Sequence, residues 1–142
     1  MTRVDFHFNT PDKFIYGCRL LRKVLKAGHR AIVYSENNSE LTHFDQLLWT
    51  FSPQDFIPHV MADNKLADQT PVVLTSNPSQ ANHHDIIVNL GATTPPDFGR
   101  FERLLELVGD NEDDRAAARN RWRFYRDRGY PIERYDQAAV KK

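Results

Sequence analysis

Two short runs in the middle of the chain decide the fold: "PVVLTS" (Pro71–Ser76) and "DIIVNL" (Asp85–Leu90). Both are continuously apolar at their centres, without the alternation of a strand that keeps one face in water. Strands of this kind are typical of parallel sheets that helices cover on both faces. The two runs therefore predict a central sheet buried between layers of helices.

The sequence before these runs predicts two further strands, each followed by a helix. "RVDFHF" (Arg3–Phe8) alternates between apolar and polar residues, and "RAIVYS" (Arg30–Ser35) is a short β-rich run. Apolar residues at helical spacing follow the first strand as far as Gly28, and "ELTHFDQLLWTF" (Glu40–Phe51) predicts a second helix. Strands that alternate with helices indicate a three-layer α/β/α fold with a mostly parallel central sheet, Rossmann-like in plan.

After "GATTPPDF" (Gly91–Phe98) the pattern is helical to the end of the chain. The apolar residues of the segment 101–108 fall at helical spacing, and a further helix is predicted from Arg115 to about Arg128. Gly129 would end it. We expect residues 1–142 to form a single domain whose last residues, "DQAAVKK", are frayed.

The composition and the net charge exclude several classes of binding partner. The 142 residues include 19 basic and 19 acidic side chains, and a net charge near zero argues against a general binder of polyanions. A single cysteine, Cys18, excludes an internal disulfide and suits a reducing compartment. There is no apolar run of about 18 residues to span a membrane and no signal-peptide pattern. These features predict a cytoplasmic protein that does not contact a membrane.

The sequence lacks the usual patterns of cofactor, metal and catalytic sites. The turn after the first strand, "NTPDKFIYG" (Asn9–Gly17), has neither the glycine spacing nor the lysine of a phosphate-binding loop. His83 and His84 are adjacent and would point to opposite faces of a strand, away from a shared metal ion. Cys18 falls at a core position of its helix. We expect no cofactor, no metal ion and no intrinsic catalysis.

"RNRWRFYRDRGYP", which begins at residue 119, contains a candidate binding site. Guanidinium groups match carboxylates, and a tryptophan offers a flat wall to an apolar side chain. A solvated amphipathic helix with an inward tryptophan remains open as an alternative, as does a single-stranded nucleic acid stacked on the aromatic rings. A degenerate nucleotide-binding domain is a third alternative. Five side chains share or flank one face of the predicted helix: Arg115, Arg119, Trp122, Arg123 and Arg126.

Three segments together resemble the chi subunit family of the bacterial DNA polymerase III holoenzyme. "FDQLLWTFSPQDFIPH" (Phe44–His59) resembles the family's leucine-tryptophan segment and the phenylalanine-aliphatic-proline-histidine element after it. "DIIVNL" resembles its last buried strand, and "RNRWRFYRDRGY" (Arg119–Tyr130) resembles its C-terminal helix. The order and spacing of these segments carry the resemblance, which spans nearly the whole chain.

The resemblance implies a non-catalytic bridge in DNA replication. Chi subunits bind the acidic, phenylalanine-ended C-terminal tail of the single-stranded-DNA-binding protein. They also bind the psi subunit, which connects them to the clamp loader. A member of this family would contact nucleic acid only indirectly.

The resemblance also implies roles for individual residues. Arg119 would clamp the terminal carboxylate of the tail, while Arg115 and Arg123 would attract its acidic residues. Val108 and Trp122 would line the pocket for its terminal phenylalanine. The sequence departs from the common family pattern by having arginine at positions 115 and 123, where lysine is frequent, and tryptophan at 122, where tyrosine is usual.

Three further residues are assigned less directly. Arg126 belongs to the basic stripe, the face of the predicted helix that Arg115, Arg119 and Arg123 share or flank. Phe56 would belong to the surface that faces psi. Trp49 is either a core residue or a partner contact, and the sequence favours the core slightly.

Overall fold

A computed structural model describes residues 1–51 and 57–139 of the chain. In these two ranges seven strands form one sheet, and every pair of neighbouring strands is parallel. The strands are β1 (Arg3–Thr10), β2 (Ala31–Tyr34), β3 (His59–Met61), β4 (Val72–Thr75), β5 (Ile86–Asn89), β6 (Arg103–Gly109) and β7 (Ile132–Asp136). Their order across the sheet is β3-β4-β2-β5-β6-β1-β7.

Helices cover both faces of the sheet. Side chains of α1 and α2 pack on one face and side chains of α3 on the other. Within the described ranges the helices are α1 (Lys13–Lys26), α2 (Asn38–Thr50) and α3 (Glu112–Asp127), with 3₁₀ turns at Ala67–Gln69, Pro78–Gln80, Phe98–Arg100 and Gln137–Ala139.

The central strands are buried on both faces. In β2, Val33 packs in the core beneath α1 and α2, whereas Ile32 packs in the core beneath α3. Leu74 and Val73 of β4 divide between the two cores in the same way. Burial on both faces explains the continuously apolar runs. The predicted three-layer α/β fold is confirmed, and the described strands are parallel throughout.

The predicted helix over residues 101–108 is wrong, because most of that segment is strand β6. Leu104 packs in the core on the α3 side and Leu105 in the core on the α1 side. A strand buried on both faces has apolar residues three and four positions apart as well as two. The spacing alone therefore could not distinguish it from a helix.

The edge strands β3 and β7 are not predicted by the sequence. In β7, "IERYD", only Ile132 is partly buried, so the strand has no apolar pattern to recognise. Asp136, the first residue of the segment expected to fray, pairs with Phe8 of β1. The 3₁₀ turn Gln137–Ala139 follows it, and residues 140–142 lie outside the described ranges.

Trp49 is not a core residue, contrary to the slight preference from the sequence. Its side chain is 57% exposed. Leu41, Phe44 and Leu48 form the buried face of α2, and each helical residue is rotated by about 100° from the one before it. The residue after Leu48 therefore points away from the core. Phe56, which was expected to face psi, lies outside the described residues.

Candidate functional site

The start of α3 is anchored to the strand before it and to α1. Asn111 caps the helix by accepting a hydrogen bond from the backbone N–H of Asp114. The Asp114 carboxylate accepts a hydrogen bond from the Gly109 N–H at 2.6 Å and pairs with the Lys13 ammonium at 3.0 Å. A Cβ at position 109 would lie 3.0 Å from that carboxylate, so glycine leaves room for the contact. These bonds fix where α3 begins relative to β6.

The inward face of α3 carries a buried ion pair that the sequence analysis did not single out. Arg121 donates through Nε to Glu106 Oε1 at 2.9 Å and through Nη1 to the Ala92 carbonyl at 2.8 Å. The Tyr125 hydroxyl donates to Glu106 Oε2 at 2.5 Å. Burial, and then the charge of Glu106, raise the pKa of Tyr125 above its ordinary value. This network holds α3 at one rotation about its axis.

A pocket of about 380 Å³ opens between α3 and the strands β1, β6 and β7. Its apolar lining is Phe6, Phe8, Val108, Ala118 and Trp122, and its polar lining is Asn9, Arg115, Arg119 and Arg134. Four residues predicted from the sequence therefore meet in one space: Val108, Arg115, Arg119 and Trp122. The pocket combines an aromatic and aliphatic surface with three guanidinium groups that reach solvent.

The two pocket arginines of α3 share one carboxylate. Glu112 Oε2 lies 3.2 Å from Arg119 Nη1, and Glu112 Oε1 lies 3.9 Å from Arg115 Nη1. The exposed fractions are 42% for the Arg115 side chain, 55% for Arg119 and 69% for Glu112. Ion pairs with this exposure are weak. A ligand carboxylate could therefore displace Glu112 at little cost.

Arg123 and Arg126 do not line the pocket. Arg123 Nη1 donates to Asn120 Oδ1 at 3.2 Å on the exposed side of the helix. The Arg126 guanidinium lies over the Trp122 ring, 4.8 Å from its centroid, and pairs with Asp127 at 3.0 Å. It supports the tryptophan as a cation–π partner. Of the five residues predicted to share or flank one helix face, Arg115, Arg119 and Trp122 line the pocket. Arg123 and Arg126 lie outside it.

The opposite wall of the pocket was not assigned from the sequence. The pairing of β1 with β6 shifts between residues 7 and 10, where Asn9 has a left-handed φ of +58°. Such a bulge redirects a strand and its side chains. Asn9 Nδ2 donates to Asp136 Oδ1 at 2.8 Å, which joins this wall to the end of β7. Arg134 was missed together with its strand, and a polar residue on an unrecognised edge strand carries no sequence signal.

The carboxyl ends of β2 and β5, where sheets of this class often bind phosphates, hold a carboxylate. Glu36 accepts hydrogen bonds from the Ala92 N–H at 3.0 Å and from the Thr93 hydroxyl at 3.1 Å. Burial raises the pKa of Glu36, but the hydrogen bonds outweigh burial and leave the pKa below its ordinary value. A phosphate at this edge would meet negative charge instead of unoccupied amide groups.

Residues 1–51 and 57–139 contain neither a cluster of metal-ligating side chains nor a membrane-spanning helix. No group of three or more His, Cys, Asp or Glu side chains comes together there as a metal ion would require. None of the helices in these ranges is both long enough and apolar enough to cross a membrane. Cys18 is buried, and burial together with Asp12 raises the pKa of its thiol to about 12.

Comparison with known proteins shows the family. The family model described as DNA polymerase III chi subunit, HolC, matches residues 1–133. The chain belongs to the chi subunit family. A DNA polymerase III subunit chi of Pseudomonas aeruginosa PAO1 is 33% identical over 137 residues, which cover 94% of this chain and 95% of the relative. Proteins of the same name from Haemophilus influenzae and Escherichia coli K12 are 21% and 24% identical, and each match covers 81% of this chain. The matches cover 81% of the Haemophilus protein and 79% of the Escherichia protein.

Membership of the chi family makes the chain an accessory subunit of DNA polymerase III in DNA replication. The resemblance found in the sequence is confirmed at this level. Val108, Arg115, Arg119 and Trp122 all lie within the residues that the family model matches, whereas Arg134 lies one residue beyond them.

Proposed function

We propose that the pocket beside α3 binds the acidic, phenylalanine-ended C-terminal tail of a single-stranded-DNA-binding protein. A second surface would bind the psi subunit and, through it, the clamp loader. The chain would then hold the protein that coats single-stranded DNA close to the polymerase, without catalysing a reaction and without touching the nucleic acid directly. A subunit with this role is predicted to be cytoplasmic.

The main support for tail binding is the meeting of aromatic surface and arginines in one pocket. A phenylalanine ring in contact with Phe6, Val108 and Trp122 would remove apolar surface from water. A terminal carboxylate beside that ring could accept two hydrogen bonds from the forked guanidinium of Arg119. Concave sites of a few hundred Å³ with few polar groups are the usual form of ligand pockets.

The distribution of charge favours a short acidic peptide over a nucleic acid. The formal net charge is zero, and Glu112 and Asp127 pair with arginines of α3. A protein that follows a polynucleotide backbone needs a longer groove of uninterrupted positive charge. A peptide with one carboxyl end and a few acidic side chains needs only the local cluster beside the pocket.

The psi-binding surface is proposed around Phe56 and Trp49. The centroid of the exposed Trp49 ring lies 5.0 Å from that of the buried His59 ring. His59 Nε2 lies 3.1 Å from Asp45 Oδ1. Tryptophan is enriched at protein interfaces. Trp49 belongs to α2, which packs on the face of the sheet opposite α3. The position of Trp49 across the sheet from the pocket supports two separate surfaces.

One set of titrations tests the function of the pocket. The purified protein is titrated with a fluorescent peptide that ends in Asp-Phe, a single-stranded oligonucleotide and a nucleoside triphosphate. Of the three ligands, we expect only the peptide to bind at micromolar protein concentration. Binding of the oligonucleotide with a steep decline in salt, and no binding of the peptide, would instead identify a direct nucleic-acid binder.

The psi surface is tested by Phe56→Ala and Trp49→Ala, with Thr42→Ala as a control at an exposed position of α2. We expect both aromatic substitutions to weaken psi binding and to leave tail binding unchanged, because distant sites act independently. If a well-folded variant loses both activities, the two surfaces are not separate.

A further inference from the structure

Arg134 lines the pocket from β7, the edge strand, whereas the other two pocket arginines belong to α3. We propose that Arg134 is a further recognition residue, which binds a carboxylate of the bound peptide from the β7 side of the pocket. The inference rests on the proposed peptide-binding function and extends it to a residue outside α3 and one position beyond the residues that the family model matches.

The guanidinium of Arg134 has no internal partner in the described residues. The hydrogen bonds and ion pairs of residues 1–51 and 57–139 include none to its side chain. Glu133 alternates to the other face of β7. Asp136 alternates back to the face of Arg134, but its carboxylate accepts the hydrogen bond from Asn9. Arg134 therefore presents an exposed guanidinium without a direct ion pair to a pocket with an aromatic lining.

This arrangement gives Arg134 an advantage that the α3 arginines lack. A ligand carboxylate competes with Glu112 at Arg119 and Arg115, because Glu112 lies 3.2 Å from Arg119 Nη1 and 3.9 Å from Arg115 Nη1. Arg134 has no such competing carboxylate among the described residues. A carboxylate that enters the pocket thus finds cations on two walls, and the unpaired cation gains an ion pair without breaking one.

A tail peptide offers two kinds of carboxylate: its terminal group and the side chains of its acidic residues. Three peptides distinguish them. The first ends in Asp-Phe with a free carboxylate, the second is the same peptide with a C-terminal amide, and the third has its Asp residues replaced by Asn. Affinities are measured for the wild type, for Arg134→Gln and for Arg19→Gln, which removes the same charge from an exposed site on α1 across the sheet.

We expect Arg134→Gln to weaken binding of the first peptide about three- to five-fold, the upper range for an exposed ion pair, and Arg19→Gln to have almost no effect. The loss should disappear with whichever peptide lacks the carboxylate that Arg134 binds. Arg134 is exposed, so thermal unfolding of the variant should match the wild type.

Equal effects of the two arginine substitutions would overturn the inference, as would the same loss with all three peptides. In either case the wild type still binds the tail, and the proposed function stands. Absence of tail binding by the wild type would overturn both.

Discussion

At the scale of single residues, Arg119 and Arg123 differ more than their spacing in the sequence suggests. Arg119 lines the pocket, whereas Arg123 donates to Asn120 on the outer side of α3. A directional contact to a carboxylate beside an apolar surface is stronger than attraction by a charge at the surface. Four candidate residues could be grouped from helical spacing and the family resemblance, but their separation from Arg123 and Arg126 depends on the rotation of the helix.

Arg119→Ala should therefore weaken tail binding more than Arg123→Ala. We expect a loss of about 2 kcal/mol or more for Arg119, as for a charge pair that is partly desolvated. Arg123 should cost at most about 1 kcal/mol, as for exposed pairs. Isothermal titration of both variants with the same peptide measures the difference. Small and equal losses would remove the clamp role from Arg119.

If the pocket binds the tail as proposed, Glu112 competes with the ligand carboxylate for Arg119 and Arg115. Its removal in Glu112→Gln should raise the affinity for the tail about two- to five-fold, because Arg119 and Arg115 no longer exchange one ion pair for another. Asp113→Asn is the matched control, since it removes the same charge from the same exposed turn of α3. If both substitutions raise the affinity equally, the effect reflects net charge and not competition at Arg119.

At the scale of elements, the hardest feature to predict from the sequence is strand β6, which was predicted as a helix and which carries a buried charged residue. Glu106 interrupts the apolar run of β6 because Arg121 and Tyr125 bind it from above the sheet. Arg121 lies three residues after Ala118 and four before Tyr125, which are both buried, so a helical wheel could have placed it inward. No pattern in the sequence predicts that its partner is Glu106 on strand β6.

The Glu106–Arg121 pair should matter more to stability than any surface pair of α3. Glu106→Gln leaves the Arg121 guanidinium buried without a counter-charge, and breaking a buried pair costs about 3–5 kcal/mol. Asp127→Asn, which breaks the exposed pair with Arg126, should cost less than about 1 kcal/mol. Urea unfolding of the two variants measures the contrast. Similar small losses would show that the network does not hold α3 in place.

At the scale of the whole molecule, the sheet lies between α2 on one face and α3 on the other. The four strands predicted from the sequence lie in the sheet, and three of them, β2, β4 and β5, are adjacent at its buried centre. The short, continuously apolar runs of β2, β4 and β5 make these strands recognisable, whereas the interrupted apolar pattern of β6 resembles a helix and exposure hides the edge strand β7. The pocket lies beside α3, and the exposed Trp49 lies on α2 across the sheet. One small domain could thus hold two partners at once.

The central claim is that the pocket recognises a terminal phenylalanine together with a carboxylate. Its most direct test is the affinity of the wild-type protein for the tail peptide, with and without its last phenylalanine, across a range of salt concentrations. Salt at about 0.15 M screens surface charges over ~8 Å, whereas burial of the ring contributes roughly 2 kcal/mol at any ionic strength. We predict that rising salt lowers the affinity to a plateau above zero, and that removal of the phenylalanine abolishes the plateau. Equal binding of both peptides at every salt concentration would contradict the claim and leave the arginines of α3 as a charged surface only.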